Sequence, residues 1–270
     1  MMQWLKRILW ILGGILVIVM VIFVVVIVVD SLFGHDSTEY TNVTFTDAAG
    51  QELHGYLALP EGEGPHPAVL LIHEWWGLNE GMLVLADALA AEGYVVLAAD
   101  AYRGQVTDKF PRAIYLRLGT PEEQVFNDID AALAYLLSRP EVDEGRVASM
   151  GFCFGGGHSL QLGMRQSENL ALTILYYGAV VTEPDLLRPL TDNQPVLGIF
   201  GAEDASISTA DVLEFEAALN SLNIPNEITI YEGVGHAFLN EENYDEPGAA
   251  GDAWQQTLDF LAANFRSEEP

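Results

Sequence analysis

Gly151-Phe152-Cys153-Phe154-Gly155-Gly156 places the only cysteine of a 270-residue chain between glycines two before and two after it. Gly145 to Met150 reads as a short buried strand leading into it, and Gly156 to Met164 can open a helix. The tip of a sharp strand-to-helix turn is a strained backbone position, and a side chain on either flank would strike the neighbouring strand or helix. Glycines at this spacing are therefore the steric signature of a nucleophile elbow. The helix that follows aims its free amides and positive dipole end at the sulfur, which favours thiolate over thiol. A lone cysteine is more often a small buried hydrophobe, so the reading depends on what surrounds it.

Downstream, Pro195 to Gly201 reads as a buried strand ending in Ala202-Glu203-Asp204, and Asn226 to Glu232 as another ending in Gly233-Val234-Gly235-His236. Asp204, with Glu203 beside it as a competing acid, and His236 both fall just past strand ends, where sites assemble in an open parallel sheet. The order nucleophile, acid, histidine is the one the α/β-hydrolase fold uses. Strand-like runs at Val43 to Thr46, Leu53 to Leu59, Ala68 to His73, Tyr94 to Ala99, Val147 to Met150, Leu172 to Tyr177, Val196 to Phe200 and Ile228 to Tyr231 alternate, after the first two, with helical patterns such as Met82 to Glu92, Glu122 to Ser138, Thr209 to Leu222 and Asp252 to Phe265. The fold class is α/β, with a mostly parallel central sheet, an antiparallel start and helices on both faces. Gly104 to Gly119, interrupted by Pro111, is undecided between loop and helix and is expected over the pocket.

With these residues in hand, the chain from about Tyr40 to Phe265 resembles the dienelactone hydrolase family, a cysteine-using branch of the α/β hydrolases. The resemblance is carried by His73-Glu74-Trp75-Trp76-Gly77-Leu78-Asn79, by the Cys153 elbow, by Gly201-Ala-Glu-Asp204 and by Gly235-His-Ala-Phe238. It implies a triad of Cys153, His236 and Asp204 that opens esters and lactones through an acyl-thioester. It also implies that Glu74 holds the resting thiol and takes its proton. Oxyanion stabilisation carries over to the backbone N–H groups of Trp75 and Phe154. Trp75, Trp76 and Tyr102 are candidates for the acyl pocket. Family members that take dienelactone hold its carboxylate with two arginines. Arg103 matches the first, whereas Leu239-Asn240-Glu241-Glu242 holds none at the second, so neutral esters or lactones are the expected substrates. The same triad would serve a carboxylesterase or thioesterase without lactone preference, and a catalytically silent ligand-binding fold is the reading of a different class.

No cofactor is expected. The six histidines include no pair at zinc spacing and a single cysteine makes no Cys-x-x-Cys. His54, His66 and His158 stay unassigned, and Gly155-Gly156-Gly157 lacks the lysine and Ser/Thr of a phosphate loop. A net charge of −28, from 11 basic and 39 acidic residues, excludes nucleic acid as a partner.

Ile8 to Val29 is 22 residues without a charged or strongly polar side chain. At ~1.5 Å per residue it is long enough for a ~30 Å hydrocarbon core, and apolar on every face as no soluble helix is. A cleaved signal would carry a shorter core and a small-residue cut site, whereas this run ends Val-Val-Asp30-Ser-Leu-Phe. Residues 1–7 are therefore expected in the cytoplasm, 8–29 as an uncleaved anchor, 30–39 as a short polar tether and 40–266 as the hydrolase domain. Lys6 and Arg7 before the span, with Asp30, Asp36 and Glu39 after it, put the domain outside.

Overall fold

Runs of β-branched and aliphatic residues become eight strands of a single sheet, β1 (Val43–Thr46), β2 (Glu52–Ala58), β3 (His66–Ile72), β4 (Val95–Ala99), β5 (Val142–Phe152), β6 (Leu172–Tyr176), β7 (Val196–Gly201) and β8 (Asn226–Tyr231), in the order β1-β2-β4-β3-β5-β6-β7-β8. The computed structural model describes residues 2–190 and 194–265; Met1 and the domain end expected at residue 266 lie outside them. β1 and β2 pair antiparallel with each other, and β2 with β4, while β3 to β8 run parallel, as the alternating pattern predicts.

Helices α2 (Glu80–Ala91), α3 (Phe110–Gly119), α4 (Glu122–Leu137), α5 (Phe154–Arg165), the short α6 (Pro184–Leu187), α7 (Thr209–Ser221) and α8 (Ala249–Phe265) cover both faces, and α1 (Met2–Phe33) precedes them. β3 shows why its apolar run is unbroken. Val69 and Leu71 pack under α2 and α8, while Ala68, Leu70 and Ile72 pack under α4 and α5, so both faces of the strand are buried. A third cluster joins Leu175 and Phe200 to Val212, Phe215 and Leu219 of α7. Ile72 pairs with both Ala99 and Gly151, Phe152 with Tyr176, and Gly201 with Tyr231. The carboxyl ends of these strands are thereby level, and the loops leaving them gather along one edge.

Two segments differ from expectation. Most of Gly104 to Gly119 is helix α3, which Pro111 enters in the first turn, where its missing N–H has no intrahelical partner to lose. Residues 30–39, expected as a short polar tether, are built into the fold. The first helix runs on to Phe33 and a 3-10 turn occupies Ser37–Tyr40. Asp30 accepts a 2.6 Å bond from the Thr107 hydroxyl, and the fully buried Ser37 donates at 2.6 Å to Asp100 Oδ2 and takes the Gly104 carbonyl on its N–H at 3.0 Å. Polar side chains in this stretch find fixed partners on the loop after β4, so the stretch is ordered. Arg7–Phe33 is long and apolar enough to cross a membrane, with none of that window buried in the fold; a signal sequence passes the same test.

Candidate active site

Cys153 leaves β5 and opens α5 with φ 52° and ψ −110°, a left-handed conformation strained for any side chain. The glycines explain how the chain gets there. A Cβ on Gly151 would strike the Gly155 carbonyl oxygen, and one on Gly155 the Ile72 carbonyl oxygen. The turn that exposes the sulfur is thus pressed against the end of β3, where only hydrogens fit.

Asp204 sits past β7 with its side chain buried. Its Oδ1 accepts the N–H groups of Ser206 and Ile207 at 2.7 and 3.0 Å, and its Oδ2 lies 2.7 Å from His236 Nδ1. Glu203, the competing acid, points to solvent. His236, in the loop after β8, rests against the Tyr177 ring at 5.1 Å, and Tyr177 is fixed by donating to the Leu239 carbonyl at 3.0 Å. The other imidazole nitrogen, Nε2, is 3.0 Å from Cys153 Sγ. A carboxylate on Nδ1 makes that nitrogen the donor and leaves Nε2 to accept from the thiol.

The loop after β3 closes the site from the other side. His73, fully buried, has Nδ1 2.5 Å from the Glu74 carbonyl oxygen, and its Nε2 accepts the Ala101 N–H at 3.2 Å. Burial holds its pKa below the usual imidazole value, and a neutral ring satisfies both bonds. His73 thereby ties the end of β3 to the end of β4 and fixes the backbone of residues 74 and 75. The N–H groups of Phe154 and Trp75 face Sγ and act to lower its pKa. Burial and the charge of Glu74 outweigh them, and the Cys153 thiol is pushed up to about 12. The thiolate preference expected from the helix dipole is therefore overridden by desolvation. Glu74 in turn is raised to about 7 by burial and by Glu241, and its Oε1 is covered without a hydrogen-bond partner; the hold on the resting thiol that the resemblance implied for Glu74 is not made, and Sγ pairs with His236 instead.

Cys153, His236 and Glu74 border a cavity of about 490 Å³ walled by Trp75, Trp76, Phe154, Tyr177 and Ile207. Two expected pocket residues lie elsewhere. Tyr102 is fully buried between the His73 and Phe154 rings, with centroids 4.9 and 5.2 Å away, and belongs to the core. Arg103 makes a two-pronged ion pair with Asp128 of α4, at 2.7 and 2.6 Å, with Asp47 3.8 Å away, and does not line the cavity. The cation that does is Arg117 of α3, stacked 5.3 Å over the Phe154 ring. Nothing in the sequence singles it out, because the segment is undecided between loop and helix and neither of its two arginines belongs to a motif. His158 is a packing residue beside Phe154, its pKa lowered to about 3 by burial.

Residues 53–265 match the family described as "Dienelactone hydrolase family". A protein from Salmonella typhimurium named "Putative carboxymethylenebutenolidase" is 31% identical over 242 residues, covering 84% of this chain and 88% of that protein. One of the same name from Synechocystis sp. is 30% identical over 233 residues, covering 80% and 93%. The solved structure of a "Putative Dienelactone Hydrolase" from Klebsiella pneumoniae superposes with a TM-score of 0.69 at 29% identity, over 82% of this chain and 99% of that one.

Proposed function

The chain belongs to the dienelactone hydrolase family and is a hydrolase of ester or lactone bonds, and from that premise we propose that it works by covalent catalysis at Cys153, with His236 and Asp204, while anchored in a membrane by residues 8–29. The observation that carries the mechanism is the unbroken chain Asp204–His236–Cys153, at 2.7 and 3.0 Å, on the border of a cavity that Glu74 also lines.

The neutral thiol is the resting form. As Sγ attacks the acyl carbon, His236 Nε2 takes the thiol proton, and Asp204 on Nδ1 stabilises the imidazolium. The N–H groups of Trp75 and Phe154, already aimed at the sulfur, lie where the carbonyl oxygen gains charge. The imidazolium returns its proton to the departing alkoxide, leaving an acyl-thioester. A water then gives a proton to His236 and its oxygen to the acyl carbon, and the sulfur leaves with the proton from Nε2. While ionised, Glu74 opposes thiolate formation and keeps the sulfur protonated; when protonated it lifts that repulsion, which makes it the local control on the nucleophile. An aromatic and aliphatic wall with carboxylates nearby, on a chain of charge −28, suits a neutral acyl group better than an anionic one.

The anchor reading is supported by the length and uniform apolarity of α1 and by its end, fastened through Asp30 to Thr107. Lys6 and Arg7 on one side of the span favour a domain outside the cytoplasm.

The test is the full chain in detergent micelles, with and without Cys153→Ala, on a neutral aryl ester and a panel of lactones, with intact-mass detection of an acyl adduct. The expected result is an adduct confined to the parent chain and a fall in kcat/KM of at least ~10³-fold in the variant. Equal turnover by both proteins would remove Cys153 from the mechanism.

A further inference from the structure

Helix α3 carries an exposed apolar face. Leu118 is 79% exposed, Phe110 55% and Tyr115 52%. The surrounding sequence is equally unusual for this chain. From Lys109 to Pro121 there is no acidic residue, and Lys109, Arg112 and Arg117 are three of only nine basic residues beyond the apolar span. Lys109 pairs with Asp108 and Arg112 with Gln105, whereas Arg117 has no carboxylate partner among the described residues. Arg112 is buried, which leaves Arg117 and Lys109 as the outward cations, and leucine and aromatic residues on one side with this arginine and lysine at the margins are the composition of a helix that lies in a lipid interface.

Its position agrees. α3 is packed against α1, whose half-buried residues in this region are Phe23, Val26, Ile27 and Asp30, one stripe at helical spacing. That stripe covers the last two turns of the apolar run. From Asp30 back to Phe23 is about 10 Å along the axis, and an interfacial helix sits ~5–10 Å into the headgroup and acyl boundary. The bond from Thr107 to Asp30 fixes the same depth from the loop side, since Asp30 is the residue at which the apolar run stops.

We propose that the Phe110–Tyr115–Leu118 face of α3 lies on the anionic lipid surface of the membrane that α1 spans, and that the Cys153 cavity opens there to neutral esters dissolved in the lipid. The link to the site is direct. Arg117 of α3 walls the cavity, and Phe110 packs edge-on against Trp75 of the same cavity at 5.5 Å. The proposal rests on the anchor and hydrolase readings and adds to them the docking face and the source of substrate. The acidic remainder of the molecule is repelled from anionic lipid while α3 is drawn to it, so the two fields favour the same orientation.

The first arm is independent of activity. The full chain carrying Cys153→Ser and one new cysteine, Leu118→Cys on α3, Leu213→Cys on exposed α7 or Val19→Cys in the span, is labelled with an environment-sensitive fluorophore and reconstituted into phosphatidylcholine–phosphatidylglycerol vesicles. Expected are blue-shifted emission and quenching by a lipid-borne quencher at 118 and 19, and water-like emission at 213. Water-like emission at 118 with lipid-like emission at 19 overturns the docking and spares the anchor. A water-like signal at 19 overturns both. A blue shift at 118 without lipid quenching assigns the face to a second copy and also overturns the proposal.

The second arm uses the parent chain and Leu118→Asp, a change at an exposed position outside the catalytic groups. It compares a long-chain ester dissolved in the vesicles with a short water-soluble one. The ratio of the two rates is expected to fall about tenfold or more, with the soluble ester unaffected. An unchanged ratio overturns the lipid route. No turnover of either ester by the parent chain removes the hydrolase reading and the lipid route with it, and leaves the first arm to decide the docking alone.

Discussion

Glu74 has one carboxyl oxygen covered without a partner and Glu241 near enough to add repulsion, and pH decides what that costs. The side chain titrates at 4.5 in its ordinary state and at about 7 in the fold. Between those values the folded chain holds a proton that the unfolded chain has released, so this contribution to stability is complete below pH 4.5 and is lost as pH rises to 7. At one pKa unit per 1.36 kcal/mol the loss is at most ~3 kcal/mol, less where solvent reaches the carboxyl. Glu74→Gln removes it. The difference in unfolding midpoint between variant and parent should be flat below pH 4.5, grow in the variant's favour across pH 4.5–7 and level off above. The same substitution takes a negative charge away from Cys153, so alkylation of the thiol by iodoacetamide at pH 8 should speed up several-fold. A midpoint difference independent of pH, with unchanged alkylation, would show that Glu74 and the sulfur are uncoupled.

Among the elements, the strand–elbow–helix unit of β5 and α5 was the most legible in sequence, because its constraint is local. Gly151 and Gly155 are needed wherever a nucleophile turn is pressed against a neighbouring strand. Gly155→Ala would usually favour a helix; here the new Cβ meets the Ile72 carbonyl oxygen, and a loss of ~1–3 kcal/mol or more is expected by urea denaturation. Gly119→Ala at the end of α3, where nothing lies within 4 Å, should instead be neutral or stabilising by up to ~1 kcal/mol. If both cost the same, close approach is not the reason for Gly155. The parallel strands were legible for a similar reason, since a run such as Val69 to Ile72 buried on both faces has no polar position to misplace. Tyr102 and Arg103 were misplaced because their partners are remote. Arg103 turns to Asp128, 25 residues on in α4, and no local pattern reports that choice. Pro111 likewise hid α3, whose helix is settled by packing on α1 and on the cavity wall.

For the molecule as a whole, the segment read as a tether behaves as a collar. Ser37, Gly104 and Tyr102 all bond to Asp100 or its loop, and Asp36 bridges to Gln105. Ser37→Ala leaves the Asp100 carboxylate with two backbone donors and costs ~1–3 kcal/mol locally. The measurable outcome is faster cleavage between residues 30 and 40 by a nonspecific protease, with the melting of the sheet little changed. Equal cleavage rates would mean that the collar does not depend on this bond. A domain on a swivel above its anchor sweeps a volume and answers to substrate concentration in solution; a domain with a stiff neck presents the same edge of its sheet to the same plane at all times. Its kinetics should then follow surface dilution: adding empty lipid at fixed amounts of enzyme and lipid-borne ester should slow turnover in proportion to the area added, although no concentration in the bulk has changed.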